Sequence, residues 1–582
     1  MKKILFIVLQ IFAASFIYSQ VQLNSSAASW NNVLPGKAIC EPQQTSYGLA
    51  LITDSKYLMT FTTEGNTIWE HYLGRGTNHM FTVLNDDFFA VISNSKLTVL
   101  NPSGKELWQT TLDYKPFEKP FAGRDGRIIV RNATNISCYG LNGIRKWHIT
   151  TEEQTNLEIK ELPDGTFVVF LKKQQENKTR GLRISPFGEI LENITFYGNV
   201  TSAESCSEGI LLTFSDSTCG LFTLVEQNST NRWVLQKERL SLTNSDFFVV
   251  SKDLKEAAYI NNQSSGTQIN FIQLSDGKIT HTVNCPAIQN PTYCILNNQG
   301  IFLANKNTAC FYNKDGLELW TGIMPQNVKG SKNNWKYCVY TDDNYLIIFY
   351  DNWDATGYRT TQSLKSQTVK YKLERKNYNK LYDVNYSTFE ISLMPDLDNL
   401  YNSDDRFESL QKGDYSEKEQ KWISDLISGC NSYQKLLTTA NSRNSYDNSL
   451  FVTDNIGVEL MISQLCFYGT DTFINFIAAV IKNEKNRTML NKALIGIKYN
   501  GYDPEEKILY ALESLLRKTK PSDAMVLNEI CDAVYSICRF MGRPAFNQHG
   551  REILLHLLVP DYNKNTKDYA KKTLKMISEL EL

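Results

Sequence analysis

Histidines, cysteines and closely spaced carboxylates are the side chains of this chain that could do chemistry, and their spacing assigns them little of it. The six histidines stand at 71, 79, 148, 281, 549 and 556. His71 and His148 follow tryptophans closely, a setting that suits a solvated or hydrogen-bonded imidazole better than a metal ligand. His549 and His556 are seven apart and could share a helix face, but no cysteine or carboxylate completes a zinc set beside them. Asp396, Asp398, Asp404 and Asp405 hint at calcium. An EF-type loop wants an oxygen ligand at its fifth position and glycine at its sixth, and Leu400 and Tyr401 stand there instead. A solvated acidic loop is the expectation. The chain contains no G-x-S-x-G elbow, P-loop, H-E-x-x-H or G-x-G-x-x-G; Gly74-Arg-Gly76 is a fragment of the last. No residue is therefore assigned a catalytic, cofactor-binding or metal-binding role, and no cofactor is expected.

The twelve cysteines form no C-x-x-C and no adjacent pair, so zinc, redox and haem-attachment spacings are missing. Several sit in apolar runs, as Cys294 does in Tyr-Cys-Ile-Leu, where a free thiol behaves as a small hydrophobe. Buried free thiols are expected for most. Cys206–Cys219 and Cys285–Cys294 are the nearest-neighbour candidates for a disulfide.

Repetition is the strongest signal. Gly65 to Trp69, Gly104 to Trp108 and Gly143 to Trp147 share a G-x-x-x-W pattern, with tryptophans 39 residues apart. Gly316 to Trp320 is a fourth copy, and Gly277 lies 39 residues before Gly316 with His281 in the tryptophan place. Degenerate copies at Gly188 and Trp233 fill the gap. In each copy a β-branched or aromatic run precedes an Asn/Asp/Ser/Gly turn, and a second strand carries the tryptophan. That is hairpin grammar. A further pair of short strands lies upstream of each hairpin, such as Met80–Leu84 and Phe88–Ile92. Four strands per forty residues compose one propeller blade. The indoles are expected to seal blade junctions, each burying on the order of 150–250 Å².

The motif Asn101-Pro-Ser-Gly-Lys-Glu-Leu-Trp108 and its copies resemble the PQQ-like repeats of the quinoprotein alcohol dehydrogenase-like propellers. The resemblance covers about residues 35–375 and implies a β-propeller. It leaves function open, because such repeats occur in redox enzymes and in non-enzymatic scaffolds such as an outer-membrane assembly factor. Quinone-dependent members typically carry an adjacent cysteine pair, which this chain lacks. Four further strands, at 337–340, 345–350, 358–361 and 369–373, make an eighth blade or else close a seven-bladed ring with residues 46–62.

Beyond residue 375 the period changes. Residues 376–416 are polar and read as a linker or irregular extension, and 417–582 as a helical domain. Helices are expected near 470–482, 485–498, 504–517, 522–541, 546–558 and 566–580. Asp503, Pro504 and Glu506 supply an N-cap, an N1 proline and a capping-box acid. Pairs starting near 470, 504 and 546 resemble HEAT-like repeats, with a compact bundle as the alternative. The fold class is thus mainly β plus α: a seven- or eight-bladed propeller followed by an α-helical repeat, solenoid or bundle.

At the other end, Lys2, Lys3 and the apolar run from Ile4 to Ile17 read as a signal peptide cleaved after Ser19, leaving no transmembrane anchor. Acids and bases nearly balance, 62 against 61, so no nucleic-acid footprint is present. The expectation is an exported, periplasmic or extracellular, non-catalytic binding or scaffold protein with a protein partner. A propeller-based enzyme, dependent on pyrroloquinoline quinone (PQQ) or directed at sugars, is the alternative.

Overall fold

The computed structural model describes residues 21–360 and 474–581 apart from short breaks. The expected signal segment 1–19, the linker 376–416, the strand at 369–373, the acidic loop 396–405 and Gly277 lie outside the described residues.

The β residues form eight sheets of four strands or more, one per blade. Blade 1 spans residues 43–72, and the following blades span 79–111, 121–150, 160–197, 200–235 and 247–285. Blade 7 is built from 293–323 with Val21–Gln22 added in parallel against Gly322 and Ile323. Blade 8 takes three strands from 335–359 and its outermost strand, Trp30–Val33, from the N-terminal segment. The ring therefore has eight blades, and its closing strand is not 46–62, most of which belongs to blade 1. A propeller boundary at 35 would cut that closing strand away.

Within a blade the strands are antiparallel neighbours in chain order, and the first strands of successive blades touch one another around the axis. The first strand is thus innermost. Gln43 stitches blade 1 to blade 2, donating to Phe81 O at 2.9 Å and accepting from Val83 N at 3.0 Å. Gln44 reaches the other way, to Tyr340 O in blade 8 at 3.1 Å.

Trp69, Trp108 and Trp147 lie across the seams between blades. Trp69 lies over the turn of the next blade, so close that a Cβ on Gly104 would sit 2.5 Å from its ring. Gly104 also needs its φ of +79° for the turn. Trp108 covers Gly143 and Trp147 covers Gly188 in the same way. The indole N–H groups of Trp69 and Trp108 donate to Pro102 O (2.9 Å) and Leu141 O (2.6 Å), each 33 residues on. Trp30 completes the ring: it lies over Gly65 and donates to Thr63 O at 2.8 Å. It stands 39 residues before Trp69, so the period itself pointed to it. The register slips two residues before Trp69, Trp108, Trp147, His281 and Trp320, which re-aims each side chain. His281 shares that bulge but stacks on Phe271 at 4.3 Å, and Val283 covers Gly316 instead. Trp320 packs partly buried against the blade 8 core. The strand of Trp233 pairs it with Leu224.

Among the described residues five α-helices follow: α1 (Arg487–Tyr499), α2 (Lys507–Lys518), α3 (Ala524–Met541), α4 (Pro544–Leu555) and α5 (Lys564–Glu579). Helical residues also appear between 474 and 482. α3 packs against all four other helices, and α4 packs against α2 and α5. The layers are thus α1–α3–α5 and α2–α4. α2 begins later than Pro504 suggests, because Glu506 adopts a left-handed φ of 58°. Asp503 still caps it, accepting from Ile508 N and Leu509 N at 2.9 Å each.

Tyr502 and the α3–α4 corner dock onto the end of blade 2. Phe88, fully buried, has its ring 5.5 Å from Phe540 and 6.5 Å from Tyr502. The blade 2 core and the helical core are one continuous cluster. Tyr502 OH donates to Asp86 Oδ2 at 3.0 Å, and Arg543 donates to Asp86 O at 2.8 Å and faces Asp87 Oδ2 at 3.5 Å. Asn101 donates to Arg539 O at 2.8 Å. A Cβ on Gly542 would meet Asn101 at 2.5 Å, so the corner approaches to the limit that glycine allows.

Three outcomes are expected. Gly104→Ala should lower stability by about 2–4 kcal/mol, measured by chemical denaturation, because ring overlap adds to backbone strain. Gly74→Ala, with a φ of +84° and open space around it, should cost only the strain. Burial pushes the Asp503 carboxyl up to about 6, against the lowering effect of its two backbone N–H bonds. The folded state then holds that proton more tightly than the unfolded chain. Its contribution to stability is full below the ordinary carboxyl range, near pH ~4, and is lost as pH rises to about 6. Asp503→Asn should remove this dependence and raise the thermal midpoint above pH 6 relative to the parent.

Candidate interaction surface

The groups singled out for chemistry are not brought together. His79 is buried and satisfied by Ser93 Oγ at 2.9 Å and Gly76 O at 2.8 Å, and burial lowers its pKa. His71 is lowered by burial too. His148 meets Ser137 Oγ at 2.9 Å, and His549 meets Glu506 at 2.8 Å. His556 lies beyond the end of α4 in a 3-10 turn, so it does not continue the face of His549. Among the described residues, no group of three His, Cys, Asp or Glu side chains could hold a metal ion.

The ten described cysteines are thiols, none of them in a disulfide. The two suggested disulfides are not formed. Cys206 and Cys219 stand opposite the two ends of strand Gly209–Phe214, facing Gly209 and Thr213. Cys285 and Cys294 share the apolar seam between blades 6 and 7 as thiols. Burial pushes Cys206 up to about 11 and Cys285, Cys338, Cys531 and Cys538 up to about 12. Such thiols hold their protons and are poor nucleophiles.

What the fold does assemble is a surface. Because strands alternate in direction, the first and third turns of each blade lie at one end of the ring. The second turn and the crossing to the next blade lie at the other. Helices α3 to α5 meet residues 86–88 and 101–105 of blade 2, which are its first and third turns. The opposite face carries exposed apolar side chains: Val33 (68%), Ile39, Tyr72, Phe117 (50%), Val328 (61%) and Trp353 (50%). Exposed aliphatic residues such as Ile190 and Leu317 stand at the helix-side end too, but the exposed aromatic side chains of the described propeller residues, Tyr72, Phe117, Tyr197 and Trp353, are all at the opposite end.

Each is held in place. Arg131, buried in blade 3, pairs with Glu118 and lies 5.1 Å from the Phe117 ring, anchoring the segment between blades 2 and 3. Thr82 donates to Pro120 O from blade 2. Trp353 sits in the second turn of blade 8 with φ +78°, a conformation unfavourable for a bulky residue. Leu34 N donates to its carbonyl at 2.9 Å, and Asn352 and Asp354 bond each other across it. Strain at an exposed aromatic is the kind of cost that a binding role would retain. Near the axis, Lys336 donates to Ala38 O at 3.3 Å and Tyr337 OH to Ile39 O at 3.3 Å.

None of these loop residues has a sequence motif. The tryptophan period located the blades, and only the alternation of turns, counted from them, shows which loops share a face.

A family model described as outer membrane protein assembly factor BamB matches residues 58–185, the stretch holding the three regular tryptophan copies. No curated protein sequence matches the chain. Among solved structures, a eukaryotic initiation factor is similar at 12% identity and TM-score 0.38, covering 55% of this chain and 83% of its own. The dihydro-heme d1 dehydrogenase NirN in complex with DHE is similar at 11% identity and TM-score 0.37, covering 57% and 75%. Kluyveromyces lactis Hsv2 is similar at 12% identity and TM-score 0.32, covering 51% and 99%.

Trp353→Asn is expected to leave the thermal midpoint unchanged or to raise it, since asparagine tolerates a positive φ far better than tryptophan. A fall in the midpoint would show that the indole serves the fold.

Proposed function

We propose that this PQQ-like-repeat propeller is a non-catalytic interaction protein of the cell envelope, exported by its N-terminal segment. The observation that carries the reading is the division of its two faces. One end of blade 2 is occupied by the chain's own helices, and the other end of the ring presents apolar side chains on anchored loops. A propeller whose end away from the helices holds aromatic side chains on braced loops, one of them the strained Trp353, suits docking. The helices, taken as HEAT-like pairs, extend the scaffold instead of swinging from it, because they share a core with blade 2. The match of residues 58–185 to a family described as an outer membrane assembly factor agrees with an envelope role.

The test is cross-linking in the native host followed by affinity isolation of the tagged chain. A partner that is recovered with the parent and lost with Phe117→Asp and Trp353→Asp, in variants of unchanged thermal midpoint, is the expected result. Beside it, the visible spectrum of the purified protein is titrated with PQQ and calcium. A saturable change there would replace this reading with that of a redox enzyme.

A further inference from the structure

We propose that the crossing from α1 to α2, residues 501–506, is a proton-operated latch, seated on blade 2 in acid and slackened at neutral pH. It lies at the helix end of the ring and is independent of what docks on the opposite face. Three contacts seat the crossing. Gly501 lies so close to α3 that a Cβ there would sit 2.2 Å from Ser536 O. Tyr502, buried, packs its ring 6.3 Å from Phe540 and donates to Asp86 Oδ2 of blade 2 at 3.0 Å. Glu506, in its left-handed conformation, meets His549 of α4 at 2.8 Å.

Asp503 stands in the middle of these contacts and is fully buried. Its Oδ2 accepts from Ile508 N and Leu509 N, while its Oδ1 is buried with no hydrogen-bond partner among the described residues. No described cation pairs with it. Lys507 is taken by Glu505, His549 by Glu506 and Glu513, and Lys498 by Asp532, while Arg543 faces Asp87. Glu506 acts on it with a charge of the same sign. A carboxylate so placed carries an uncompensated charge, and it is easier to bury with its proton. Acid therefore keeps the crossing shut. As pH rises through about 6 the proton leaves, and the bare carboxylate is better solvated outside the joint. Tyr502 is the adjoining residue, so its hold on Asp86 loosens with it. The α3–α4 corner stays seated through Phe540 against Phe88 and through Asn101 against Arg539. The crossing is the moving part.

Hydrogen exchange of the full chain, read by mass spectrometry at pH 5 and 7.5 and corrected for intrinsic rates, tests the latch. The Asp503 carboxyl titrates at about 6 when seated and in the ordinary range near ~4 when open, so local opening should rise roughly tenfold across that interval. The rise is expected in two peptides, 501–509 and 84–90. It should vanish from both with Asp503→Asn and survive His549→Gln. Should Asp503→Asn not fold, Asp503→Ser, which keeps a capping oxygen, takes its place. A rise confined to 501–509 would reduce Asp503 to a helix cap and overturn the latch. So would a rise missing from the parent, one that persists without the Asp503 carboxyl, or one abolished by His549→Gln, which would assign the proton to an imidazole.

Discussion

The indole of one blade lying on the backbone of the next is the contact on which the rest of the propeller depends. A blade is a four-stranded sheet with two apolar faces, so it cannot be stable alone and must be covered on both sides. Each tryptophan reaches across the seam, fills the space over a glycine turn and satisfies its N–H there, as Trp69 does over Gly104. The turn has to be bare of a Cβ for the ring to come so close. Packing and hydrogen bonding thereby fix the angle between blades at one point. The blades with other residues at this position, such as the sixth with His281 and Val283, rely on aliphatic cover and aromatic stacking for the same purpose.

The helical module is a consequence of the same geometry. Its contact lies at the turn end of blade 2, where Gly104 and its neighbours are already immobilised beneath Trp69. Asp86 and Asp87 both take left-handed backbone conformations in the adjoining turn. Tyr502, Arg543 and Ser46 bind that turn from three directions, and Phe88 is sealed beneath it. A rigid seat therefore meets a rigid corner. The opposite face is left to loops whose anchoring comes from inside the blades, through Arg131 under Phe117 and the Asn352–Asp354 bonds around Trp353.

The blades were legible because their signal is local and repeated: a glycine with positive φ, then an aromatic four residues on. The helices were legible from apolar spacing, and each of α1 to α5 lies within a few residues of where that spacing puts it. Trp30 went unassigned although it keeps the 39-residue period, because its blade is split between the two ends of the propeller and no glycine precedes it in the motif position. The cysteine pairs failed as a guess because proximity in sequence says nothing of which end of a strand a side chain occupies. Which residues share the face opposite the helices was not legible at all. They lie on separate segments, and what unites them is the direction in which each strand runs.

The strand Trp30–Val33 is among the first parts of the propeller to be made, yet its partner is Asp354–Gly357. Every intervening blade must be synthesised before the pairing exists, and the loop it closes is more than three hundred residues long. Loop-closure entropy grows only slowly with length, so the cost in stability is modest, but the wait is real. Until then Trp30 is an uncovered aromatic and both Gly65 and the third strand of blade 8 lack their cover. Long-range pairing of this kind is slow and prone to association while unfinished. The ring's last contact in time is thus made by its earliest residues, and the order of synthesis exposes the seam between blades 8 and 1 longer than any other.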